Sequence, residues 1–144
     1  MAEGIKQEVE TAQVDEKAAA RGKALAQTDG IIKDIMRGKF TLMDTIRAGG
    51  KDITEVSYDF HMLDSNDVMN ALDSDPSSYN SAHTTSKQAF ALFAAAVAKI
   101  RDQGVDATDL RTRMSSVDAL NAIQIARAFY NASVRRGALS ISEV

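Results

Sequence analysis

Apolar residues recur along this chain mostly three and four positions apart, the spacing of helices that bury one face. The clearest stretch is Ala89–Ala98, ten apolar residues without interruption. Thr85-x-x-Gln88 precedes it in the form of a capping box, in which two side chains satisfy the first free backbone donors of a helix. The pattern predicts a helix from residue 86 to Gln103, stopped by Gly104. Because it is apolar all round, it should be covered on most sides. Its alanines would let a second backbone approach, which puts Ala95 at a close helix–helix contact.

Ser115-x-x-Asp118 resembles a second capping box and opens another long pattern. Val117, Leu120, Ile123, Ala126, Phe129, Tyr130 and Val134 give it a broad apolar stripe. This helix should run to about Arg136 and stop at Gly137. Arg135 and Arg136 in its last turn complement the negative end of the helix dipole.

Two shorter helices are expected upstream, near 30–48 and 54–73. Thr28 or Asp29 would cap the first, with Ile31, Ile32, Ile35 and Met36 on one face. Gly38 breaks it, Leu42, Met43 and Ile46 continue the face, and Gly49–Gly50 end it. In the second, Val56, Tyr58, Phe60 and Met62 alternate strictly, so a strand competes with the helix. No convincing second strand presents itself for pairing, and the helix is preferred. Ser74–Ser86, with Pro76 among Ser, Asn and Thr, reads as a loop.

The first 27 residues are good helix formers with few large apolar groups: Ile5, Val9, Val14 and Leu25. Ile5 and Val9 share a helical face with Ala12. The reading is therefore a polar helical arm over residues 1–27 and a single domain over 28–144. The fold class is all-α: a bundle or extended helical hairpin with two long C-terminal helices and shorter N-terminal ones.

Composition adjusts this picture only slightly. At 144 residues there is room for one domain. The absence of cysteine excludes disulfides and thiolate chemistry. The ten-residue apolar run is about half of what a membrane span needs, so no membrane-spanning segment is expected. The N-terminus lacks the apolar core of a signal peptide, so the chain is expected in the cytoplasm or exported by a route without a cleaved signal.

Charge is more informative in its distribution than in its sum of −3. Residues 52–86 hold seven acids and no Lys or Arg, while residues 87–144 hold eight bases and five acids. An acidic middle thus lies between two mildly basic ends of the chain. Arg111, Arg113, Arg127, Arg135 and Arg136 could serve a nucleic acid, but an isoelectric point near 5.3 argues against that partner.

No motif carries chemistry. His61 lies near Asp59 and Asp64 without a third converging ligand, and His83 sits in the polar loop. Asp64-Ser65-Asn66 begins like a calcium loop, yet Met69 stands where glycine is required. Nucleophile-elbow, S-x-x-K and phosphate-loop patterns are absent, and Asn131-Ala132-Ser133 is a glycosylation sequon inside a predicted helix. The pairs Met36/Met43 and Met62/Met69 are read as core packing rather than as an adaptable partner surface.

These readings point to no enzyme, no cofactor and no metal. The expected function is a self-associating structural subunit, such as a rod, filament, coat or appendage component assembled by helix packing. The alternative is a helical adaptor, chaperone or regulator that binds a single protein partner. The partner is thus the chain itself or another helical protein. Candidate interaction residues are Phe90, Phe93, Ala95 and Val97 on the apolar helix, the acids Asp73 and Asp75, and Arg127, Arg135 and Arg136.

Overall fold

The computed structural model of the chain describes residues 2–76 and 83–141, with side chains from residue 15 onward. In order, the elements are α1 (Ala2–Ile35), β1 (Arg37–Ala48), β2 (Lys51–Asp59), a 3-10 turn (Phe60–Met62), α2 (Ser65–Asp73), α3 (Ser86–Ala98), α4 (Ala107–Arg113) and α5 (Ser116–Ser140). The all-α expectation is therefore wrong. An antiparallel β-hairpin occupies the region read as two short helices. The expected pair of long C-terminal helices is also wrong. The longest helix is α1, with 34 residues, whereas α3 has only 13.

The hairpin has an identifiable cause. Gly49 and Gly50 both adopt positive φ, 57° and 77°. A two-residue hairpin turn of this hand matches the twist of its strands, and glycine reaches that conformation without steric cost. Arg37 pairs with Asp59 and Thr41 with Glu55, but Ile46 pairs with Ile53. Residues 42–45 of β1 thus face a single residue, Thr54, across an extended bulge. This bulge leaves Leu42 and Ile46 both buried, four positions apart, with Met43 exposed between them. Such spacing is what made β1 read as a helix.

Thr28 does not cap a helix start; it lies within α1, where its hydroxyl donates to the Ala24 carbonyl at 2.9 Å. Two other caps, at α3 and α5, do form as the sequence implies, and α4 adds a third. Thr85 and Gln88 make a full capping box at α3. Asp106 and Asp109 do the same at α4, and Ser115 accepts from the Asp118 amide at α5. The predicted ends were too far along in one case and too early in another. The helix α3 stops at Ala98 rather than Gln103, and α5 continues through Gly137 to Ser140. Of the predicted loop, residues 77–82 lie outside the described residues.

At the centre of the core is α3. The hairpin covers one side, and α2, α4 and α5 pack around the rest. Phe93 is fully buried, edge-on to Phe40 with ring centroids 6.0 Å apart, and touches Tyr58 at 5.5 Å. Phe60 stacks on Phe129 at 4.5 Å, joining the hairpin's exit to α5. Burial raises the Tyr58 hydroxyl above its ordinary pKa. The described part of α1 lies along α5, with Thr28 and Ile32 buried and Asp29 bonded to Arg136 at 2.8 Å.

Two polar side chains tie the hairpin to the helices across long sequence separations. Asp118, 1% exposed, accepts from the Met43 amide at 2.8 Å and the Asp44 amide at 3.2 Å. The Ser115 hydroxyl donates to the same carboxylate at 3.0 Å. Strand bulges leave amides without ladder partners, and this carboxylate satisfies two of them. Its place in the first turn of α5 also sets negative charge at the positive end of the helix dipole. On the opposite edge, Gln103 accepts from the Ser57 amide at 2.6 Å and donates to the Ser57 carbonyl at 2.9 Å. One glutamine thereby occupies the edge positions a third strand would take.

Candidate functional site: an open groove beside α3

The face of α3 turned from the hairpin is not closed. A cavity of about 540 Å³ opens between α2, α3, α4 and α5. Its floor is Phe90, Ala91, Ala94 and Ala95 of α3 with Ile123 of α5; Asn70 and Ala71 of α2 form one wall, and Ala107 and Arg111 of α4 another. The alanines explain the width. Each short side chain leaves room where a leucine would have filled the space.

Helix termini set the rim. Lys87 belongs to the first turn of α3, and Arg111 stands near the end of α4. Both line the cavity, both are exposed, and neither has an ion-pair or hydrogen-bond partner among the described residues. Asp67 also reaches the rim, but Lys99 holds it at 2.8 Å. That hydrogen bond lowers the Asp67 pKa from its ordinary value, helped by the Asp64 amide. Conversely, hydrogen bonding to Asp67 raises that of Lys99. The uncompensated charge at the groove is therefore positive.

The residues named from sequence separate into three groups. Phe93 and Val97 are fully buried in the core. Phe90 and Ala95 are half-buried and line the groove, so Ala95 borders open space instead of a close helix–helix contact. The charged candidates are scattered. Asp73 is exposed at the end of α2 and Asp75 is half-buried just beyond it. Arg127 donates to the Ser86 hydroxyl at 3.1 Å, Arg135 is exposed, and Arg136 holds Asp29.

Much of the acidic block is answered locally. Arg37 lies 3.9 Å from Asp59, and Lys39 lies 3.8 Å from Glu55. Asp64 is engaged as the cap of α2. Arg113 pairs with Asp109 and donates to the Arg47 carbonyl. Among the described residues, no ion pair joins the acidic middle to the C-terminal arginines.

Of the two methionine pairs read as core packing, only Met36 takes that place. Met43, Met62 and Met69 are 70%, 48% and 59% exposed, while Met36 and Met114 pack against the core. Sequence reasoning also missed Lys87 and Ile123 as groove residues, and noted Arg111 only as a possible nucleic-acid contact. The signal for the groove was the all-round apolarity of α3, which exceeds what one hairpin and one long helix can cover.

Among the described residues no cluster of three or more acids or histidines could hold a metal ion, and no helix is long and apolar enough to cross a membrane. No family of known proteins matches the chain, nor does any curated protein or solved structure.

Proposed function

We propose that the protein is an interaction module that holds an amphipathic helix of another protein in the groove beside α3, in the manner of an adaptor or assembly chaperone. The observation that carries this reading is the groove itself: an apolar, alanine-lined trough flanked by the two unpaired cations Lys87 and Arg111. Grooves of this kind bind amphipathic helices by burying anchors spaced three and four residues apart. The occupant that fits has an apolar stripe with acidic residues beside it.

The local neutralisation of the acidic block supports a helix-binding groove over charge-guided stacking of subunits. Self-association into a larger structure is the second reading. The observation favouring it is α1, whose residues 15–20 are exposed on every side of the helix.

A photo-reactive phenylalanine analogue at Phe90, introduced into the full chain in its native cells, tests both readings. Irradiation should yield one discrete adduct, mapped by mass spectrometry to an amphipathic helical segment. An adduct to another protein supports the adaptor reading, and an adduct to a second copy of the chain supports self-association. A yield no higher than that from the same analogue at exposed Lys51 contradicts both.

A further inference from the structure

The sequence of the first turns of α1 and the open groove have complementary chemistry. Residues 2–20 open one continuous helix and span roughly 28 Å at 1.5 Å per residue, and residues 15–20 of it are exposed. Ile5, Val9 and Ala12 share a face by their spacing, i, i+4 and i+7. Residues 2–20 carry five acids, Glu3, Glu8, Glu10, Asp15 and Glu16, against two bases, Lys6 and Lys17. A narrow apolar stripe in an acidic helix is what an alanine-floored groove with two unpaired cations would receive. Ile5 to Ala12 spans about two turns, roughly 10 Å of helix. A cavity of about 540 Å³ can take a few apolar side chains over such a length. Because α1 is unbroken through Ile35 and packs along α5, an arm turned into its own groove would have to break that helix.

We propose that the acidic N-terminal arm of one copy docks in the groove of a second copy, covering it until a partner helix displaces the arm. This rests on the groove being a docking site for helices. It adds that the chain carries its own competing ligand, so that self-association and partner binding exclude each other at one surface. The arm enters by its apolar stripe, while Glu8 and Asp15, seven apart and so on one edge of that stripe, meet Lys87 and Arg111. If each copy both gives and receives an arm, the result is a closed dimer; otherwise the contact propagates from copy to copy.

The absence of cysteine makes a direct test clean. One full-length population carries Val9→Cys and a second carries Ala91→Cys or Ala95→Cys. Mixed and oxidised, they should form a mixed disulfide dimer well in excess of a control mixture of Val9→Cys with Glu55→Cys. Placing Lys87→Glu and Arg111→Glu in the groove copy should lower its yield about threefold to tenfold, the change two exposed charge pairs can make. Adding Glu8→Lys and Asp15→Lys in the arm copy should restore it. Raising salt to about 1 M, where the screening length falls to about 3 Å, should act like the groove reversal. A mixed dimer no more abundant than the control, or one indifferent to both salt and charge reversal, overturns the arm proposal. An intramolecular disulfide in a chain carrying both cysteines, with no mixed dimer, also overturns it. The groove reading is judged separately: if the arm fails here while Phe90 still yields an adduct to another protein, only the arm proposal falls.

Discussion

The two faces of α3 are both apolar and have opposite fates. Toward the hairpin, Ala89, Leu92, Phe93, Ala96 and Val97 are each no more than 1% exposed. Around the helix, Phe90, Ala91 and Ala95 remain half-open above the groove. The closed face is built by elements brought from far along the chain, held by Asp118 and Gln103 as well as by aromatic packing. The open face has no such anchors; it has alanines and unpaired cations at its edge. Apolar residues alone therefore do not decide what is core. The outcome depends on whether the remaining chain supplies a surface that fits, and on α3 it does so on one side.

The largest effects should come from breaking the closed face. Asp118→Ala leaves two part-buried backbone amides without their partner, each costing about 1–3 kcal/mol, so a loss of about 2–4 kcal/mol is expected in denaturant unfolding. Hydrogen exchange should accelerate at Met43 and Asp44 first. Phe93→Ala removes a fully buried ring and should cost a similar amount, about 3–5 kcal/mol. Phe90→Ala, three residues away on the groove side, should cost about 1 kcal/mol, because much of the ring's surroundings is already open. Equal losses at positions 90 and 93 would erase the distinction between the faces.

A smaller contrast concerns added volume. Ala96 is fully buried, and Ala96→Leu should overpack the core by about 1–3 kcal/mol. Ala95→Leu projects into free space and should leave the melting temperature close to that of the parent chain. Thermal scans of the two variants side by side sharpen the comparison with one added side chain each.

These pairs also show why the sequence was legible in some places and opaque in others. Caps were readable because their chemistry is local: Thr85 with Gln88, and Ser115 with Asp118, lie within one turn. Burial of α3 was readable from Phe93 and Val97, since ten apolar residues in a row need cover. The hairpin was hidden because β1 carries its bulge at 42–45. Leu42 and Ile46 then repeat at four, like a helix, and the carboxylate that makes the bulge tolerable lies 74 residues away from Asp44. Gly49–Gly50 can end a helix or turn a hairpin, and only the pairing of Arg37 with Asp59 decides between them. The Val56–Tyr58–Phe60 alternation was a true strand signal in want of that partner. The groove was opaque for a similar reason: sequence shows which helix is apolar, not which of its sides the other elements leave bare.

The smallest expected effect is electrostatic and sits at the groove's rim. Asp67 is held below its ordinary pKa chiefly by Lys99. A carboxylate with a lowered folded-state pKa stabilises the fold above its unfolded pKa. That contribution is lost as pH falls through the folded value. Lys99→Gln should therefore flatten the acid limb of the stability profile slightly and leave neutral pH almost unchanged, since an exposed pair contributes little. A large effect at neutral pH would mean that Lys99 supports the α2–α3 packing itself.

The claim that α3 has one open, receptive face is tested most directly with an anionic apolar dye, anilinonaphthalene sulfonate, on the native full-length protein. Saturable binding at a single site is expected under conditions where thermal unfolding is cooperative. Ala95→Glu should lose that binding, with the circular dichroism spectrum and melting temperature retained. Absence of dye binding to the native chain, or equal binding to the Ala95→Glu variant, would contradict it.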